Sequence, residues 1–355
     1  MEVKDRKVEH INIVKKGGVE YEETSGWFEY VHLIHQALPE IDLQDVDTSV
    51  NFLGFKLQAP LIIDSMTGGS EETKEINKNL AALAHELGIG MGVGSQRAAI
   101  EDPSLADTYS VVREIAPDIF VIGNIGAAQL LAYDLDKIKR AIEMIKANAL
   151  AIHLNPLQEA IQPEGEPKFR GVLQKLVEVS KSINVPIIVK EVGSGISKEV
   201  AINLKLAGVS AINVAGAGGT SWAKIEGVRA KKAKKMENYS LAEIFGEWGI
   251  PTAASIIEVR SVTDLPLVAS GGMKNGLELA KAITLGADVG AMAGTVLKEL
   301  LKNGYEKAKE ILLNTVNEYK LALFLTGSKN ASELKKKRKI LLGPLAEWAR
   351  QVGYI

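Results

Sequence analysis

The stretch VPIIVKEVGSGISKEVAINLKLAGVSAINVAGAGG, residues 185–219, decides the fold. It opens on an apolar run that ends at Lys190 and turns through Gly193 and Gly195. An amphipathic segment, 197–207, follows and stops at Gly208, and a second apolar run, 211–214, leads into more glycine. This is a strand, a helix and a strand again. Outward from it the same rhythm predicts strands at 61–64, 89–93, 119–123, 149–153, 187–190, 211–214, 267–269 and 289–293. The runs are continuously apolar rather than alternating, as suits parallel strands covered on both faces. Eight such units predict an α/β fold, a closed (β/α)8 TIM barrel.

The helical pattern is clearest at 71–87, where Ile76, Leu80, Leu83, Ala84 and Leu87 share a face and Gly88 follows as a C-cap, and it recurs at 136–147 and 197–207. One spacing exceeds a minimal barrel. Between the sixth and seventh strands lies a long charged insertion, about 221–250, which reads as a lid or a subunit contact. Residues 1–60, rich in charge and His, precede the barrel as an N-terminal extension, and 61–355 hold the barrel with its insertion; the last fifty residues look helical. The basic runs at 229–235 and 335–339 read as solvated helix faces.

The chain has 355 residues, and 42 Lys+Arg against 44 Asp+Glu leave a formal net charge of -2, so neither a general nucleic-acid partner nor a polybasic membrane contact is expected. No apolar run approaches the ~20 residues of a membrane span, and the chain reads as cytoplasmic. It has no Cys. Thiolate nucleophiles, iron–sulfur clusters and Cys-ligated zinc are therefore excluded.

Active sites in this architecture gather at the C-terminal ends of the strands. Those ends are rich in glycine here, and most carry a different polar group. Ser270-Gly271-Gly272 and Ala293-Gly294 after the last two strands suit a phosphate cup, where backbone N–H groups and a helix N-terminus meet an anion. No GxGxxG follows the first strand and no GxxxxGK[ST] occurs, so neither a Rossmann site nor a P-loop is supported. Lys190 ends an apolar run, so its ammonium sits at the barrel mouth and needs a partner. Schiff-base chemistry, an electron-rich ring, and an ion pair with Glu191 or Asp64 are all open. After the fourth strand, Asn155 and Gln158 suit substrate orientation. Glu159 suits Mg2+ or a solvated loop, and His153 a catalytic or a structural role. Near the start, Arg6, Lys7 and His10 suit an anionic substrate, although such a segment alone reads as a frayed tail.

Taken together, Arg6-Lys7-x-x-His10, Met66-Thr67-Gly68-Gly69, Gly92-Val93-Gly94-Ser95-Gln96-Arg97, Gly123-Asn124, His153-Leu154-Asn155-x-x-Gln158-Glu159, Lys190-Glu191-Val192-Gly193, Gly218-Gly219-Thr220 and Ser270-Gly271-Gly272 occur in this order. The chain closely resembles the type 2 isopentenyl-diphosphate isomerases, FMN-dependent (β/α)8 enzymes, and in overall composition their archaeal members. The resemblance spans essentially the whole chain. It implies that isopentenyl diphosphate becomes dimethylallyl diphosphate by a 1,3-proton shift, with reduced FMN as acid–base cofactor and NADPH only as the initial reductant. By resemblance, Ser65, Met66, Thr67, Gly68, Ser95, Asn124, Lys190, Thr220, Gly271, Gly272, Met273, Ala293 and Gly294 hold FMN. Arg6, Lys7, His10, Ser95, Gln96, Arg97, His153, Asn155 and Gln158 bind the diphosphate substrate, so that the extension 1–60 contributes to the substrate site, and Glu159 ligates Mg2+. Lys190, His153 and Gln158 carry the catalytic assignment. The absence of Cys fits, since the type 1 isomerases use a Cys as acid–base group. Ala215 departs from the pattern, because many relatives carry a polar residue there. The resemblance also implies a homotetramer or homo-octamer. The competing class is an FMN-dependent 2-hydroxyacid oxidase or dehydrogenase, which needs a base His with a paired Arg after strand six. That region offers Arg229 but no His. A third reading is an inactive barrel acting as a protein scaffold, disfavoured by the polar groups at the strand ends.

Overall fold

The computed structural model describes residues 3–355, with side chains from residue 6 onward. Among these residues eight parallel strands close into a barrel: β1 (Leu61–Ile63), β2 (Gly90–Gly92), β3 (Val121–Gly126), β4 (Ala149–His153), β5 (Ile187–Lys190), β6 (Ala211–Asn213), β7 (Leu267–Ser270) and β8 (Val289–Met292). β8 returns to β1 with Ala291 opposite Ile62, which closes the ring. The eight-stranded α/β barrel expected from the apolar rhythm is the observed fold.

The third strand differs from its expected bounds, running over Val121–Gly126 rather than 119–123. Phe120 instead packs at the base of the barrel against Phe52 and Phe55. The shift carries Asn124 into the strand itself.

Side chains alternate across a strand, and in a barrel the two sides become a packed interior and a helix-facing exterior. Ile62, Ile122, Ala149, Ala151, Ile188, Ala211, Val268, Val289 and Ala291 form one buried cluster with Phe52 and Leu57. Their strand neighbours Leu61, Ile63, Val121, Leu150, Val189, Ile212 and Ala269 belong to the larger cluster shared with the helices. The hairpin Val50–Phe52 and Phe55–Leu57 contributes the aromatic plug that closes the interior at its lower end.

The surrounding helices start where short polar side chains satisfy the free N–H groups of the first turn, each such cap contributing about 1 kcal/mol. Ser70 caps Glu71–Leu87, which stops at Gly88 with φ +61, the left-handed turn that glycine adopts without strain. Asp134 caps Leu135–Met144, and Ser197 caps Lys198–Leu206.

The extension reaches both ends of the barrel. Its helix Val3–Lys16 packs against Trp222–Lys232 and Gly294–Asn303, with Ile11, Ile13 and Val14 in the main core. Farther on, Val31–Leu33 pairs antiparallel with Lys339–Leu341. The C-terminal segment is thus helical except where this pairing holds it extended, and Lys339 of the second basic run lies in a strand. The insertion forms two helices, Trp222–Lys232 and Met236–Phe245. Lys231, Lys232, Lys234 and Lys235 are exposed, as a solvated face requires, but Arg229 is buried among carboxylates. Among the described residues no helix is long and apolar enough to cross a membrane.

Candidate active site

Two residues beyond the packed interior, the inward parity of six strands turns polar. Ile62 is followed by Asp64, Ile122 by Asn124, Ala151 by His153, Ile188 by Lys190, Ala211 by Asn213 and Val268 by Ser270. The ladder aligns them: His153 lies opposite Lys190, and Lys190 opposite Asn213. They form a polar floor linked across strands. Ser270 Oγ donates to Asn213 Oδ1 at 2.6 Å, Asn213 Nδ2 donates to Asp64 Oδ2 at 3.1 Å, and Lys190 Nζ lies 3.6 Å from the same oxygen. The expectation of a partner for Lys190 is met by Asp64; the lysine also donates to the Glu191 carbonyl at 2.9 Å.

Above this floor opens a cavity of about 610 Å³, within the usual range for small-molecule sites. Of the residues expected from the sequence, Arg6, Lys7, His10, Ser65, Met66, Thr67, Ser95, Arg97, Asn124, His153, Asn155, Gln158, Glu159, Lys190, Thr220, Gly271, Gly272, Met273, Ala293 and Gly294 all line it. Two do not. Gln96 is fully buried beneath the wall: its amide nitrogen donates to Ala141 O at 2.7 Å and its oxygen accepts from Asn124 N at 2.9 Å. It fastens β3 and has no free group for a substrate. Gly68, with φ +153, lies under the Tyr109 ring, where an added Cβ would come within 2.1 Å of a ring carbon. Its role is close packing.

The glycines after β7 and β8 are required by the backbone. Gly271 has φ +105, and a Cβ there would lie 2.1 Å from Gly216 O; at Gly272, φ +69, it would lie 2.3 Å from Gly218 O. Helix Gly294–Asn303 starts beside them without a side-chain cap, and Gly294 and Thr295 of its first turn line the cavity, a ready anion site. Thr67 Oγ1 is buried and has no hydrogen-bond partner among the described residues. A buried hydroxyl without a partner costs stability, so its natural occupant is a polar ligand. This orphaned hydroxyl, the glycine cradle and the Lys190 ammonium fit the ring and phosphate of FMN. Ala215 borders the cavity with φ +37 and offers no polar side chain there.

The second anion-binding set comes from elsewhere. Arg6 and Lys7 reach in from the N-terminal helix and Arg97 from the segment after β2. Lys7 Nζ donates to Ser95 O at 2.9 Å. Burial, reinforced by adjacent Arg6, pushes the Lys7 ammonium down to about 7. His153 Nδ1 pairs with Asn124 Oδ1 at 2.8 Å, so that nitrogen carries the proton and Nε2 keeps its lone pair. Burial, then the charges of Lys190, Lys7 and Arg6, hold its pKa at about 3. The imidazole is neutral at physiological pH.

Glu159 accepts from Asn155 Nδ2 at 3.1 Å and from Glu166 N at 2.8 Å. Among the described residues no group of three His, Asp or Glu side chains is arranged to hold a metal. A cation at Glu159 must complete its shell with water and ligand oxygens, which suits Mg2+.

Sequence reading missed Glu226. It lies on the inserted helix, fully buried, and its Oε1 accepts from His10 Nε2 at 3.0 Å and Gln158 Nε2 at 2.9 Å. Oε2 meets Arg229 Nη1 at 2.6 Å. Gln162 joins them once its amide is turned end for end, its nitrogen then donating to Glu226 Oε1 at 3.2 Å and its oxygen accepting from Arg6 Nη1 at 3.0 Å. Arg229 also binds Glu9 and Glu164, so it does not face the cavity as the carboxylate-gripping Arg of a hydroxyacid oxidase would. The only signal was the i, i+3 spacing of Glu226 and Arg229, hidden in a segment that read as solvated charge.

The family model for FMN-dependent dehydrogenases matches residues 164–340, which include β5 to β8. An isopentenyl-diphosphate delta-isomerase of Methanosarcina mazei is 48% identical over 98% of this chain and 95% of its own length. Those of Methanocaldococcus jannaschii and Archaeoglobus fulgidus are each 48% identical, over 99% of this chain and 98% of the relative in the first case and 98% and 99% in the second. Among solved structures, a mandelate oxidase variant with an FMN adduct superposes with a TM-score of 0.64 at 16% identity, over 95% of this chain and 99% of that one. Mandelate oxidase with benzoyl-formic acid gives 0.64 at 16%, over 95% and 97%. At that identity the oxidases share the fold alone.

Proposed function

The chain belongs to the isopentenyl-diphosphate delta-isomerase family, and on that premise we propose that it converts isopentenyl diphosphate to dimethylallyl diphosphate with reduced FMN and Mg2+. The observation that carries this reading is that two anion-binding sets line one cavity: the backbone cup at Gly271, Gly272 and Gly294, and the cationic group Arg6, Lys7 and Arg97. A flavin phosphate and a substrate diphosphate account for both.

The reaction is a 1,3-proton shift without net redox change. Its difficulty is protonating an unactivated alkene beside a group that stabilises the tertiary cation. Bound in its reduced, anionic form, FMN supplies an electron-rich ring suited to exchange the proton and to balance that cation. Lys190 holds the counter-charge at the floor, and Thr67 gives its buried hydroxyl a partner. Neutral His153 donates no proton from Nδ1, which is committed to Asn124; its Nε2 accepts a hydrogen bond from a ligand. Arg6, Lys7 and Arg97 bind the diphosphate, and Glu159 holds Mg2+ against it. Gln158, fixed between Asn155 and Glu226, orients the alkyl end. Binding energy from the diphosphate places a chemically bland alkene in a cavity walled by the N-terminal helix and Trp222.

The test is direct. Purified protein should carry the yellow flavin spectrum, bleach with NADPH under anaerobic conditions, and then isomerise isopentenyl diphosphate in the presence of Mg2+. Full turnover by flavin-free protein refutes the reading, and oxidation of a 2-hydroxy acid without isomerisation replaces it by the oxidase class.

A further inference from the structure

The floor holds a buried carboxylate that the isomerisation above leaves without a task. Asp64 lines the cavity beside Lys190, and their side chains are 9% and 7% exposed. Two neighbours fix its position. Ser65 N donates to Oδ1 at 2.7 Å, and Asn213 Nδ2 donates to Oδ2 at 3.1 Å. Asn213 is itself held by Ser270 Oγ at 2.6 Å and Ala215 N at 3.3 Å. The carboxylate therefore cannot swing away from the ammonium without breaking a network that crosses β6 and β7. The separation from Lys190 Nζ, 3.6 Å, is a charge contact longer than an ordinary hydrogen bond. With one of its three protons on Glu191 O, the ammonium keeps donors for the cavity.

We infer that Asp64 is a positioning residue that aims Lys190 into the cavity and offsets its charge, so that the pocket favours reduced over oxidised FMN less strongly than a lone lysine would. A lone buried ammonium would stabilise the flavin anion and weaken it as a base, and a fixed carboxylate beside that ammonium restrains the effect. Asn213 and Ser270 serve this arrangement by holding the carboxylate in register. The inference rests on the FMN reading above.

The experiment measures the flavin midpoint potential of FMN-loaded wild-type, Asp64→Asn and Asp64→Glu proteins, together with oxidised FMN affinity for the apoproteins. Neither readout depends on turnover. Asp64→Asn should raise the preference for reduced FMN about tenfold, which for a two-electron couple is a potential more positive by about 30 mV. Asp64→Glu, which keeps the charge, should stay within about threefold of wild type. If Asp64→Asn does not fold, Asp64→Ser, smaller and uncharged, carries the same expectation. A shift below about threefold in the uncharged variant, or an equal shift in Asp64→Glu, overturns the inference. Wild-type protein that binds no FMN overturns the functional reading itself, whereas an FMN-loaded isomerase whose potential ignores Asp64 overturns this inference alone.

Discussion

Replacing Glu226 by Gln keeps the size of the side chain and removes its charge. An amide at this position serves His10 and Gln158 with its oxygen, but then turns its NH2 onto the Arg229 guanidinium, donor against donor, where Oε2 had accepted at 2.6 Å. Breaking a buried ion pair by removing one partner costs about 3–5 kcal/mol. Arg229 retains Glu9 at 3.1 Å and Glu164 at 2.6 Å, so the loss falls at the lower end, about 3 kcal/mol. With an unfolding entropy of about 2.1 cal/mol/K per residue, a chain of this length should lose about 4 °C in Tm. The pH dependence is a second signature. Burial by itself raises the Glu226 carboxyl, but the hydrogen bond and charge of His10 and the charge of Arg229 overcome it and hold the pKa at about 2. A carboxyl depressed in the folded state contributes stability above its unfolded value, and loses it as pH falls from about 4.5 toward about 2. Glu226→Gln has no such titration, so its deficit should be full at neutral pH and close on acidification. Differential scanning fluorimetry over a pH series measures both effects. A neutral-pH loss below about 1 °C, the scale of a surface substitution, refutes the reasoning.

Lys7, held near 7 by burial and Arg6, is protonated below that pH and neutral above it. The KM for the diphosphate should therefore rise as pH passes about 7, and Lys7→Arg should flatten that rise; identical profiles in the two proteins contradict the assignment. His153, held near 3, should give the 15N shifts of a neutral imidazole with the proton on Nδ1 at neutral pH, and an imidazolium spectrum there would show the burial argument to be wrong. Glu159→Gln should leave FMN bound while raising the Mg2+ concentration needed for half-maximal turnover by about tenfold or more, and an unchanged Mg2+ titration removes Glu159 from the metal.

Much of this molecule is written locally. Short apolar runs, most of them ending in a glycine or a polar residue, mark all eight strands, because strand burial and turn geometry are properties of adjacent residues. The polar groups after those runs are visible in the same way, and all but Gln96 and Gly68 of the expected site residues reach the cavity. Those two misled because a polar amide and a glycine in a motif look alike whether they meet a ligand or a neighbouring chain segment. Gln96 is committed to Ala141 O and Asn124 N, partners 45 and 28 residues away.

By itself, then, the sequence determined the barrel, the glycine cup and the family, since these rest on periodicity, on φ-permissive residues and on the order of short motifs. Tertiary structure alone decided which polar residues face one another. Ring closure brings Asp64 and Lys190, from strands far apart in the chain, to one floor. Docking of the inserted helix buries Glu226 against His10 and Gln158. Charge compensation in a low-dielectric interior depends on distance through space, which the local pattern of neither partner encodes.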